Sequence, residues 1–89
     1  MYNWEISEHL QRILKKLSKK DKSLYEQLLK KIDEIINSYN VDNYKNLRHG
    51  MKDPKRVHIG HFVLVFQYNK KTNTILFDDF DHHDNIYKR

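Results

Sequence analysis

The sequence predicts a single α+β domain. An N-terminal strand and a two-helix antiparallel hairpin are followed by three more strands, with the helices packed on a small, mainly antiparallel twisted sheet in the order β-α-α-β-β-β. Three observations predict it. Apolar residues recur at helical spacing through the first half of the chain, then at the two-residue spacing of strands through the second. A polar, turn-rich stretch separates the two regimes. The chain has 89 residues, room for one modest core, so residues 1–89 form one domain.

Each element has its own signal. Tyr2, Trp4 and Ile6 alternate with Asn3 and Glu5, which reads as a short strand with Trp4 in the core. Ser7 is placed to cap a helix whose apolar stripe is Leu10, Ile13, Leu14 and Leu17. Ser18-Lys19-Lys20-Asp21 looks like a capping box opening a second helix, with Leu24, Leu28, Ile32, Ile35 and Ile36 on one face. Asn37 to Asn40 ends it. Val41 to Pro54 reads as a basic, irregular loop. Val57 and Ile59 then alternate with Arg56 and His58, Gly60-His61 makes a tight turn, and Phe62 to Phe66 is a central strand buried on both faces. Asn69 to Asn73 is a hairpin loop. Thr74 to Phe77 starts a last strand, with an extension to Phe80 in reach of the same pattern.

Composition narrows the function. There are 17 Lys+Arg against 12 Asp+Glu, a formal charge of +5 and a pI near 9.4. That surplus favours polyanions: RNA, DNA, an anionic membrane or an acidic protein. With no cysteine, disulfides and thiolate zinc sites are excluded. The first ten residues lack the apolar core of a signal peptide, and Phe62 to Phe66 is too short to span a bilayer. The expectation is a soluble cytoplasmic protein.

Two segments can carry chemistry. On the strand before the turn, Arg56 and His58 share the face opposite Val57 and Ile59, a phosphate-binding pair or a solvated face. The tail Asp81-His82-His83-Asp84-Asn85-Ile86-Tyr87-Lys88-Arg89 concentrates proton-transfer and cationic groups. Cleaving RNA through its ribose 2′-hydroxyl needs a base, an acid and cations that stabilise the phosphorane. Histidine suits the first two, lysine and arginine the third. Asp81, His82, His83 and Asp84 are also possible metal ligands, but successive histidines on a strand point to opposite faces, so no metal or other cofactor is expected. Ile86 could pin the tail to the core. The Lys15-Lys16 and Lys19-Lys20 pairs mark the solvated side of the hairpin, a basic edge that could also touch RNA.

The strand, two-helix, three-strand order resembles the RelE/ParE superfamily of toxin–antitoxin toxins across almost the whole chain. Three segments carry the likeness. Tyr44-Lys45-Asn46-Leu47-Arg48-His49-Gly50-Met51 is similar to the K-L-R-G-M loop. Arg56 to Phe66 looks like the basic strand, turn and Y-R-L-V-Y strand. His82 to Arg89 resembles the closing H/K-R-x-x-V-Y segment. The resemblance implies the toxin of a type II module, a ribosome-dependent endoribonuclease that cuts mRNA by metal-free 2′-hydroxyl attack and so inhibits translation. Its implied partners are an antitoxin, the ribosome and mRNA, with an acid-rich antitoxin tail neutralising the basic surface. The implied catalytic set is His83, Tyr87, Arg56, His82 and His58. Lys45, Arg48, Lys52, Lys55, Lys88 and Arg89 would bind RNA phosphates. Two departures stand out: Val63 occupies the middle-strand position where RelE-type toxins commonly carry arginine, and no additional C-terminal helix is expected. A ParE-like gyrase-binding toxin and a plain RNA-binding module are the alternative readings.

Overall fold

The computed structural model describes residues 1–48, 50 and 53–88. Strand β1 (Asn3–Ile6) leads through Ser7 into helix α1 (Glu8–Lys20). Ser7 performs three tasks at once. Its backbone N–H donates to the Phe77 carbonyl, its hydroxyl donates to the Asp78 carbonyl at 2.7 Å, and the same oxygen accepts from the Leu10 N–H at 3.0 Å. The cap thus anchors the helix to the last strand.

Helix α2 (Lys22–Ile36) follows after one residue. Its N-cap is Asp21, whose carboxylate accepts from the Leu24 N–H at 3.1 Å. This corrects the expected capping box. Ser18 lies inside α1, and its hydroxyl bonds back to the Lys15 carbonyl at 2.7 Å, the alternative that serine takes within a helix. The stripes of both helices meet the sheet as their spacing requires: Leu10, Leu28 and Ile35 are fully buried.

The polar segment holds a short 3₁₀ turn, Val41–Asn43, that buries Val41 in the core. Strands β2 (Lys55–Ile59), β3 (Phe62–Asn69) and β4 (Thr74–His82) complete the sheet, and helix α3 (His83–Lys88) closes the described chain. The sheet order is β1-β4-β3-β2, with β1 parallel to β4 and the other pairs antiparallel. At the β2–β3 turn, Gly60 takes φ +60, a conformation costly for any residue with a Cβ. The outer edge of β2 is capped by the preceding loop, through an Asn46–Lys55 bridge and an Arg56 N–H bond to the Lys45 carbonyl.

Three expectations are corrected. Strand β4 continues to His82 rather than stopping at Phe80, because a bulge absorbs Asp78: Val65 pairs with Asp79, and Phe66 with Phe77. The extra residue lets Phe77 and Phe80, three apart, both reach the helix-side core. A C-terminal helix exists, as α3. Trp4 is half exposed, at 50 %, because it sits on the edge strand, while Tyr2 and Ile6 pack against the core.

The sheet therefore has two unequal faces. The helices cover the large core on one. On the other, Val63, Val65 and Ile86 form a small second cluster flanked by Leu47 and Tyr87. No helix among the described residues is long and apolar enough to cross a membrane.

Candidate active site

The second face is built by α3. The His83 N–H donates to the His61 carbonyl at 2.8 Å, which starts the helix against the β2–β3 turn. Asp81 accepts from the His82 N–H at 2.7 Å and from the Asn85 side chain at 3.1 Å. Ile86, 3 % exposed, is driven onto Val63 and Val65. A six-residue helix would not persist alone; this apolar anchor and these polar ties hold it. Its register then sets His83 and Tyr87 on one side, four residues apart.

These rings meet those of β2. His83 stacks on His58 with centroids 5.9 Å apart, and lies 4.6 Å from Tyr87. Strand alternation puts Arg56 on the same face as His58, since Val57 and Ile59 join the helix-side core. The Arg56 Nε is buried with no hydrogen-bond partner among the described residues. Partial desolvation pushes the His58 pKa below its usual value, and the neighbouring Arg56 and His83 add to the effect. At neutral pH the His58 imidazole is uncharged and can accept a proton. The Asp84 carboxylate lies 3.5 Å from His83 Nδ1.

The expected site residues thus divide. Arg56, His58, His83 and Tyr87 converge. His82, the last residue of β4, turns the other way: its ring stacks on His61 at 6.2 Å and meets the edge of Phe62. Lys45 and Arg48 line a hollow with Arg56 beside the cluster, and Lys88 is exposed on α3. Lys55 does not fit its expected role. It is 4 % exposed, and its ammonium lies 3.9 Å from Asp42, which makes it a buried structural cation. Lys52 and Arg89 lie outside the described residues. The sequence reading missed His61 and Asp84: the first was read only as a turn former and the second only as a possible metal ligand, although both sit beside histidines. Among the described residues, no group of three or more histidines and carboxylates is arranged to hold a metal ion.

No family model matches the chain. A curated relative does: a protein of Methanocaldococcus jannaschii described as "Putative toxin RelE4" is 53 % identical over 90 aligned positions, covering 100 % of this chain and 94 % of the relative. The chain belongs to the RelE toxin family. A second relative, an uncharacterized protein of Methanosarcina mazei, is 44 % identical, covering 98 % of this chain and all of its own length. Among solved structures, isolated Escherichia coli RelE superposes with a TM-score of 0.67 at 23 % identity, over 92 % of this chain and 84 % of that one. A doubly arginine-to-alanine substituted E. coli RelE in complex with an antitoxin RelBc peptide gives 0.66 at 25 %, over 98 % and 90 %. The β-α-α-β-β-β order is the RelE fold, and α3 lies on its sheet as a short closing helix.

Proposed function

We propose that this RelE-family toxin is a ribosome-dependent endoribonuclease that cuts mRNA without a metal and thereby halts translation. The observation that supports it best is the array of His58, His83 and Tyr87 rings beside Arg56. His58, held neutral, takes the proton of the ribose 2′-hydroxyl. The oxygen attacks the adjacent phosphorus, and the bond to the leaving 5′-oxygen breaks as His83 donates a proton to it. The products are a 2′,3′-cyclic phosphate and a free 5′-hydroxyl. Arg56 stabilises the charge that builds on the phosphorane, and Tyr87 orients the phosphate. Lys45, Arg48 and Lys88, with Lys52 and Arg89, supply further cations along the strand.

The antitoxin complex of E. coli RelE supports a protein antitoxin as the second partner here, recognising the basic surface through acidic residues. The test is a cleavage assay on ribosomes programmed with a defined mRNA. Fragments ending in a cyclic phosphate, lost in His83→Ala, are the expected result. Intact mRNA alongside growth arrest and a DNA-damage response would instead assign the toxin to gyrase.

A further inference from the structure

Two adjacent histidines stand where β4 gives way to α3, and Asp84 follows them directly. A neutral imidazole carries its one ring hydrogen on Nδ1 or on Nε2. The groups that its nitrogens meet decide which. Asp84 meets both rings, and it offers them opposite things.

To His82 it offers a donor. The Asp84 backbone N–H donates to His82 Nδ1 at 3.2 Å. His82 directly precedes the first residue of α3, so its ring takes the capping part that a serine or asparagine oxygen takes at other helix starts. A ring nitrogen that accepts carries no hydrogen, so the neutral His82 ring keeps its hydrogen on Nε2. The same Nδ1 lies 3.8 Å from Asp84 Oδ2. In the neutral ring that approach is no hydrogen bond, because a lone pair faces an anionic oxygen.

To His83 it offers an acceptor. His83 Nδ1 lies 3.5 Å from Asp84 Oδ1. An ionised carboxylate only accepts, so the hydrogen of this contact sits on His83 Nδ1. Asp81, the neighbouring carboxylate, already takes the His82 N–H and the Asn85 side chain.

Stability does not explain the Asp84 contact. The side chains of His83 and Asp84 are 51 % and 68 % exposed, and exposed pairs contribute little to a fold. The helix is held instead by Ile86, by Asp81 and by the His61 carbonyl. A carboxylate in the first turn of α3 does suit the helix dipole. That effect needs only the charge and fixes no ring.

We propose that Asp84 is a positioning residue: its N–H and its carboxylate hold His82 and His83 in opposite tautomers, which reserves His83 Nε2 for proton transfer. The proposal rests on the cleavage reading above. The protonated His83 ring keeps its Nδ1 hydrogen on Asp84 and presents its Nε2 hydrogen to the leaving 5′-oxygen. That hydrogen moves to the oxygen as the bond to phosphorus breaks. The ring is left neutral with its remaining hydrogen on Nδ1, still bonded to the carboxylate. Asp84 stays ionised throughout. Without it the neutral ring would place its hydrogen on Nε2, and the product of the transfer would lose its stabilising partner. His82 has its Nδ1 committed to the backbone, which separates the two histidines by role.

The test reads the tautomers directly, by ¹⁵N NMR of the full chain at about pH 8, where an ordinary histidine is neutral. Wild type should show hydrogen on Nδ1 in His83 and on Nε2 in His82. Asp84→Asn keeps the shape of the side chain, but its amide can donate to Nδ1. It should move the His83 hydrogen to Nε2 and leave His82 unchanged, with the Ile86 methyl signal in place to show that α3 is still docked. On programmed ribosomes it should lower kcat by roughly tenfold, part of what a proton-transfer group contributes, and leave KM unchanged. Asp84→Glu, which restores a carboxylate, should recover the wild-type tautomer and most of the rate. Hydrogen on His83 Nε2 in wild type would overturn the proposal, as would an Nδ1 hydrogen that survives Asp84→Asn. A tautomer that moves without any change in kcat would overturn the positioning role. If wild type cleaves nothing yet the tautomers behave as stated, the cleavage reading fails and the hold of Asp84 on the two rings stands.

Discussion

The His83 ring lies nearly parallel to that of His58, the planes 26° apart and the centroids 5.9 Å. One residue belongs to the second strand of the chain and the other to its last helix. The pair sets the pH behaviour of the proposed reaction. Desolvation, Arg56 and His83 all lower the pKa of His58 from its ordinary 6.5. As the proposed base, His58 must be neutral, so the acidic limb of kcat/KM should fall below pH 6.5. In Arg56→Gln, which removes a positive charge, that limb should move to higher pH while the rate drops. A pH–rate profile of the two proteins checks both signs.

Removing proton-transfer groups should leave the fold standing. His83→Ala and Tyr87→Phe should each slow cleavage by roughly 10²-fold or more, with thermal midpoints near wild type, because His83 is exposed and Tyr87 only flanks the small cluster. His82→Ala, pointing away from that array, should retain most activity. Single-turnover cleavage on ribosomes ranks the three.

Ile86→Ala should act through position. Truncating this 3 %-exposed side chain removes the anchor of α3, at a cost of about 2–4 kcal/mol. Urea denaturation should show the loss, and activity should fall although Ile86 carries no chemistry.

Val63→Arg should fail as a gain-of-function change. RelE-type toxins commonly carry arginine at this middle-strand position, but here Val63 is fully buried under Ile86. A guanidinium there would sit unpaired in an apolar cluster or displace α3, and either costs several kcal/mol. The variant should melt lower and cut more slowly.

The two candidate caps of α2 separate cleanly. Asp21→Ala should destabilise by about 1 kcal/mol. Ser18→Ala should change stability little or improve it slightly, since the hydroxyl bonds only within its own helix. Equilibrium unfolding of both variants is sufficient.

Element order was legible because each stripe obeys one period: Leu10 to Leu17 and Leu24 to Ile36 cannot be strands, and Phe62 to Phe66 cannot be a surface helix. Arg56 and His58 were placed on a common face by alternation alone. What escaped depends on partners distant in sequence. The bulge at Asp78 breaks the period of two, so the last strand looked shorter than it is. Lys55 reads as one more basic residue until Asp42 and the covering loop are seen beside it. Trp4 looked like core because an aromatic in a strand usually is, and its sheet-edge position is a matter of strand order. The separation of His82 from His83 needed the strand-to-helix switch between them, which Ile86 and the His61 carbonyl impose.

The parallel pairing of β1 with β4 joins Asn3–Ile6 to residues 74–77. On the synthesising ribosome, the first strand has no partner until the last one has emerged, and α1 and α2 have no finished sheet to lie on. Such long sequence separation makes closure late and slow. His83 and Tyr87 follow still later than β4. A partly made chain therefore lacks its cleft, so on the proposed function it cannot cut the message it is being read from until nearly all of the domain has left the tunnel.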